Sequence, residues 1–257
     1  MILTRRVALD DVQLDEIHDA VVIRKVDTGV PHESVSAVSR MGGSGQRMTA
    51  QHWDTLEVGV TFAIDVPKRE LELRRAIFDQ VMAWALRKGW LTTNQRPDRR
   101  MYVDKIVFPS GGDMWNWTGE YNLIFRAYSV PFWQDITPSQ NKVSLITSGS
   151  TSVEVRGMLE TVLDAEFKNK SGKTISRFSI TAGGNTLSLA GISLGGSESI
   201  VIHHGTDGLL RITAGGTSVL NKRTGNDDLY VQPGTVAVSI DADRAGELTV
   251  GSYGRYL

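Results

Sequence analysis

The sequence predicts an α+β N-terminal domain, an antiparallel sheet with one main helix, followed by an all-β sandwich. Composition and patterning lead there. All six tryptophans lie in the first 135 of the 257 residues, whereas 17 of the 26 glycines lie in the remaining 122. One long amphipathic segment occurs in the first stretch, and the second alternates short β-branched runs with glycine turns. The boundary is expected between Pro131 and Pro138, giving domains over residues 1–135 and 136–257.

In chain order, Val21 to Val26 is a β-branched run that ends at Asp27-Thr28-Gly29, as a strand entering a turn does. Met41-Gly42-Gly43-Ser44-Gly45-Gln46 is a loop by composition. Leu56, Val58, Val60, Phe62 and Ile64 alternate with Glu57, Gly59, Thr61 and Ala63, which predicts a half-buried strand. Pro67 to Lys88 reads as the main helix, with Pro67 at its first position, Glu70 and Glu72 near its positive end, Arg87 and Lys88 near its negative end, and Gly89 as its cap. Leu73, Ile77, Val81 and Trp84 share one face, widened by Leu71, Phe78, Met82 and Ala85. Arg100 to Phe108 and Gly119 to Val130 are predicted strands, joined by a turn from Pro109 to Thr118.

Beyond Val143 the spacing predicts strands at Ser152–Arg156, Ala165–Asn169, Ser176–Thr181, Thr186–Leu189, Ser199–His203, Leu209–Thr213, Asp228–Val231, Val236–Ile240 and Glu247–Gly251. Glycine-bearing breaks separate them, and no helix pattern intervenes, which favours a sandwich.

Charge excludes a broad polyanion partner. Lysine and arginine total 28 against 29 aspartates and glutamates, divided 17 to 18 up to and including residue 135 and 11 to 11 after it. The absence of cysteine excludes disulfides, thiolate zinc sites and cysteine nucleophiles. No apolar run approaches the roughly 18 residues of a membrane span, so neither a signal peptide nor a membrane anchor is expected.

Sites for chemistry are sparse. His203 and His204 are adjacent in a predicted strand and face opposite ways, so they do not share a metal. Asp241 and Asp243 lie two residues apart and suit a cation, but the run into Gly246 favours a solvated turn, and Asp227-Asp228 has the same turn reading. The glycine loop Gly42, Gly43 and Gly45 lacks the Gly-Lys-Ser/Thr ending and the following helix of a phosphate loop. Trp115-Asn116-Trp117 places two indoles on one face, either to stack a sugar or enter a partner protein, or to anchor the sheet edge against the helix. No nucleophile elbow or metalloprotease helix is present, and neither enzyme activity nor a cofactor is expected.

The ordered set Val58-Gly59-Val60-Thr61-Phe62, the helix from Glu70 to Lys88 with Trp84 near its end, Gly89-Trp90-Leu91, Arg96-Pro97-Asp98-Arg99-Arg100-Met101-Tyr102-Val103, Trp117-Thr118-Gly119, Tyr121 to Ala127 and Pro131-Phe132-Trp133 resembles the distal tail protein (Dit) family of long-tailed bacteriophages. The resemblance covers residues 50 to 135, and more loosely the second half, which looks like that family's galectin-like, jelly-roll-type sandwich. It implies a structural virion protein at the distal end of the tail. Six copies would form a homo-hexameric ring between the tail-tube protein and a tail-tip hub or baseplate, with the C-terminal domains projecting to hold receptor-binding or other adsorption proteins. DNA would pass through the ring without specific binding.

Leu56, Val58, Val60 and Phe62, with Gly42, Gly43 and Gly45, are the expected ring contacts, since a strong strand edge must be covered by something. Trp115 and Trp117 are the expected partner contacts. The competing reading is a carbohydrate-binding module of the tail tip or cell wall.

Overall fold

The computed structural model describes residues 6–39, 46–67, 69–108, 120–145, 147–225 and 228–257. The chain forms two compact units, Met1–Trp133 with Leu257, and Gln134–Tyr256.

The first unit contains β1 (Val7–Leu9), β2 (Val12–Gln13), a 3-10 turn at Leu14–Glu16, β3 (Val21–Thr28), β4 (Glu33–Ser39), β5 (Gln46–Trp53), β6 (Leu56–Ile64), α1 (Leu71–Ala85), β7 (Gly89–Thr93), β8 (Arg96–Val103), β9 (Lys105–Val107) and β10 (Glu120–Ala127). The short β11 (Trp133–Asp135) follows at the unit boundary. One antiparallel sheet has the order β3-β6-β10-β9, and β2-β1-β7-β8 are neighbours in another. β4 and β5 form a separate hairpin.

β6 runs as its alternation predicts. It pairs with β3 from Val21↔Ile64 to Thr28↔Val58, and with β10 from Glu120↔Ala63 to Ala127↔Leu56. Strand periodicity then turns Leu56, Val58, Val60 and Phe62 to the same side as Ala127, Phe125, Leu123 and Tyr121, and all eight are buried. α1 covers this face, with the Phe78 and Tyr121 rings 4.9 Å apart and Trp84 edge-on to Phe125 at 5.9 Å. Each fully buried large apolar side chain contributes about 1.5–3 kcal/mol, so this layer holds the helix on the sheet.

The helix differs from the sequence expectation at both ends and in its rotation. Pro67 opens a turn, closed by the Glu70 N–H on the Pro67 carbonyl at 2.9 Å, and the first helical bond runs from Arg74 N–H to the Glu70 carbonyl. At the other end, Leu86 is the C-cap, so Arg87 and Lys88 lie beyond the helix and Gly89 opens β7. Leu71 and Leu73 are exposed; the buried face is Arg74, Ile77, Phe78, Val81, Trp84 and Ala85. Arg74 takes the place expected for Leu73 because its guanidinium donates to the Val66 carbonyl at 3.0 Å while its stem packs inward.

The expected strand Arg100–Phe108 is two strands in two sheets, broken at Asp104. The Asp104 carboxylate accepts the backbone N–H groups of Tyr128 and Ser129 at 2.7 and 2.8 Å, which fastens the break to the end of β10.

The second unit is a sandwich. Its strands are β12 (Ser139–Leu145), β13 (Ser148–Val155), β14 (Thr161–Val162), β15 (Asp164–Asn169), β16 (Ile175–Ala182), β17 (Asn185–Leu194), β18 (Ser199–His204), β19 (Leu210–Ala214), β20 (Thr217–Ser218), β21 (Arg223–Gly225), β22 (Tyr230–Val231), β23 (Gly234–Ala242), β24 (Gly246–Ser252) and β25 (Arg255–Tyr256). The sheets have the orders β12-β24-β15-β18-β19-β20 and β13-β23-β16-β17-β21, and β14 pairs with β22. Inward residues from both sheets make one core, in which Phe167 and Phe178 lie 5.0 Å apart.

Turn chemistry fits this unit. Gly183, Gly184, Gly215 and Gly216 hold positive φ angles in their two tight hairpins.

Candidate functional site

Of the residues singled out by sequence, Leu56, Val58, Val60 and Phe62 are 0, 0, 1 and 0% exposed. Their side chains are enclosed within the unit, and the strand's backbone is paired on both sides. The expectation that these side chains form intermolecular contacts is thus corrected by the pleat: the alternation that marks the strand also turns its apolar half into the core. Gly42, Gly43, Gly45, Trp115 and Trp117 lie outside the described residues.

What β6 leaves outward is Glu57, Gly59 and Thr61. Gly59 stands between Asp27 of β3 and Ile124 of β10 in the strand register. Lacking a side chain, it forms the floor of a trough of about 570 Å³, walled by Asp27, Thr28, Glu57, Gln95 and Ile124. The rim is ordered by cross-strand pairs: Arg126 to Glu57 at 2.7 Å, and the Thr61 hydroxyl to Asn122 Oδ1 at 2.6 Å. This face was legible in the alternation as the polar half of the strand.

The β4–β5 hairpin escaped sequence reading. It pairs from Glu33↔Trp53 to Ser39↔Gln46 with a shift between Ser36 and Ala37. Trp53 anchors its base edge-on to Phe132, with ring centroids 6.0 Å apart. Val35 is 54% exposed. A two-stranded ribbon by itself is marginally stable in water, so this one presents backbone and apolar surface suited to a further contact.

In the second unit, β18 directs His203 and His204 to different surroundings. Packing of the sandwich rim places the His204 ring between two carboxylates: Nδ1 is 3.2 Å from Asp164 Oδ1, and Nε2 is 2.8 Å from Asp228 Oδ1. The side chain is 7% exposed. Burial opposes its charge, but the bonds and fields of both aspartates outweigh burial and raise its pKa above the ordinary value. Asp228, read from sequence as a turn former, is therefore an ion-pair partner that 24 residues of chain separate from its histidine.

Asp243 accepts from the Ser176 N–H and hydroxyl at 3.1 and 2.8 Å, and Asp241 pairs with Arg177 at 3.5 Å. The two aspartates face separate partners, and among the described residues no group of three or more histidine, aspartate or glutamate side chains is arranged to hold a metal ion.

No protein-family model and no curated protein matches the sequence. Among solved structures, the chain is similar to the Dit protein of phage SPP1, described as a paradigm of the hub adsorption apparatus in phages infecting Gram-positive hosts: TM-score 0.69, 14% identity, and coverage of 98% of this chain and 99% of that one. More distant similarities are to the phage P2 baseplate in its activated conformation. The calcium form gives a TM-score of 0.45 at 8% identity over 98% of both chains, and the strontium form 0.46 at 8% over 97% of both. From end to end, the chain has the fold of a phage Dit protein.

Proposed function

We propose that this chain is a structural component of a phage tail, a distal tail protein whose six copies close into a ring linking the tail tube to the tail tip or baseplate. The single observation that supports this reading most is the match to SPP1 Dit across both units, with 98 and 99% of the two chains covered. The role is mechanical and non-enzymatic. The ring needs heterologous contacts, one surface of each copy against a different surface of the next. The β4–β5 hairpin, with Gly42, Gly43 and Gly45 in the segment between its strands, supplies one such surface, and the Gly59 trough on the outer face of β6 is suited to the other. Trp115 and Trp117 serve as contacts for a tail-tip partner. DNA passes through the lumen unbound, and the C-terminal domain carries further adsorption proteins.

Negative-stain microscopy and mass in solution test the reading: six-fold rings support it, and a compact monomer at high concentration overturns it. Deleting Gly42 to Gly45 should shift the mass towards monomer. An unchanged oligomer distribution would remove that segment from the interface.

A second reading, saccharide binding by the C-terminal unit, is favoured by a depression of about 160 Å³ lined by Gln140, Glu166, His203, Thr249 and Tyr253. Polar groups beside one aromatic ring suit a sugar. Binding of the full chain to a glycan array, lost in Tyr253→Ala, would support it.

A further inference from the structure

We infer that His204 is a protonation-dependent latch, closed as an imidazolium between Asp164 and Asp228, that fastens the segment entering β22 to the sheet containing β15 and β18.

With both carboxylates ionised, the hydrogen-bond geometry calls for the charged form. Asp164 Oδ1 accepts the backbone N–H of His204 at 3.1 Å and also faces Nδ1 of the same residue at 3.2 Å. An ionised carboxylate only accepts, so Nδ1 carries a proton. Nε2 meets a second carboxylate oxygen, Asp228 Oδ1, at 2.8 Å and must carry one too. Loss of either proton sets a nitrogen lone pair against a carboxylate lone pair in a site nearly closed to water, where that repulsion is poorly screened.

The two aspartates favour the charged ring, and the Arg255 guanidinium, on which both also act, competes for them. Asp164 lies on β15 and Asp228 precedes β22. Burial lowers the Arg255 pKa, and Tyr230, Glu160, Asp228 and Asp164 act in the opposite direction. With His204 neutral, Asp164 and Asp228 act on the Arg255 cation alone; with His204 charged, they act on two cations.

The segment held by the latch is structurally consequential. Leu229, beside Asp228, is fully buried, and its carbonyl accepts the Leu163 N–H at 3.0 Å. The Asp228 bond therefore guards a core side chain and the β14–β22 pairing. The sign follows from the raised pKa of His204. The stabilisation is complete below the ordinary value of 6.5 and is lost as pH rises through the higher folded value.

The test uses the full chain with ¹³C-labelled histidine, assigned with His204→Gln, together with the amide exchange protection factor of Leu163 from pH 5 to 9. The expected result is a His204 ring that stays doubly protonated past pH 6.5 and a Leu163 protection that falls tenfold or more as the ring titrates. Asp228→Asn should lower the histidine transition and flatten the pH dependence of Leu163 while the chain stays folded by circular dichroism; it keeps the test decisive if His204→Gln fails to fold. A ring that loses its proton at or below pH 6.5, or a Leu163 protection indifferent to pH in the parent chain, overturns the latch.

Discussion

The Trp84 indole N–H donates to the Val12 carbonyl at 3.0 Å, tying α1 to β2, 72 residues earlier in the chain. The same ring packs edge-on against Phe125 from the other sheet, so one side chain joins three elements. Trp84→Phe should keep much of the packing and lose the bond, at about 1–2 kcal/mol. Trp84→Ala should cost about 3–5 kcal/mol through the cavity it leaves. Urea unfolding followed by near-ultraviolet dichroism measures both, and equal costs for the two variants would contradict the bond's contribution.

In the sandwich, Asn169 is fully buried and organises two turns at once. Its amide donates to the carbonyls of Lys173 and Gly195 at 2.7 and 2.9 Å, and its oxygen accepts from the Ser171 N–H and hydroxyl at 2.9 and 2.7 Å. Asn169→Ala removes these partly buried bonds together and should cost about 2–3 kcal/mol. Asn169→Asp should be worse, because a carboxylate would then face carbonyl oxygens that its amide had satisfied. Thermal unfolding monitored by β-sheet dichroism is the measurement, and a stable aspartate variant would be the contrary result.

Asp243 offers an acid-side test. Burial disfavours its charge, but donation from Ser176 prevails and holds its carboxyl below the usual carboxylate range. A depressed folded pKa stabilises the fold above the ordinary aspartate value, and that contribution disappears as pH falls through the lower folded value. Asp243→Asn should therefore destabilise by about 1 kcal/mol at pH 7. The gap to the parent should close as the solution is acidified well below pH 3.8, the ordinary aspartate value. A gap that persists at that pH would assign the loss to something other than the carboxylate charge.

The parts legible in sequence are those whose signal is local and periodic. β6 is read from Leu56 to Ile64 without error because alternate residues face core and solvent, and the glycine breaks of the second half locate most sandwich strands. Three features depend on long-range geometry. The face of α1 is rotated by Arg74, a charged residue that a hydrophobic count places outside and the Val66 carbonyl draws in. The β4–β5 hairpin carries Ser34, Ser36 and an exposed Val35 on its first strand, which lacks the burial contrast from which strands are read. The His204–Asp228 pair exists because folding brings the end of β18 beside the approach to β22, and neither residue alone carries a motif. The candidate assembly strand shows the same limit: period two identifies its faces, and packing decides which of them remains free.

Asp104 explains why a run of alternating residues splits into β8 and β9. Besides the two backbone N–H groups it accepts, its other oxygen accepts the Ser129 hydroxyl at 3.0 Å, and its own N–H donates to the Arg126 carbonyl at 2.9 Å. Asp104→Ala leaves that last bond and removes the three at the carboxylate, which are partly open to water. The expected cost is about 1–2 kcal/mol, below the sum of three buried bonds. Ser129→Ala should cost about 0.5 kcal/mol. In the double variant the serine change should add almost nothing, because its hydroxyl has already lost its acceptor. Tryptophan fluorescence in urea reads this cleanly, since all six tryptophans belong to the first unit. Full additivity of the two substitutions would show that Asp104 acts through its backbone geometry alone.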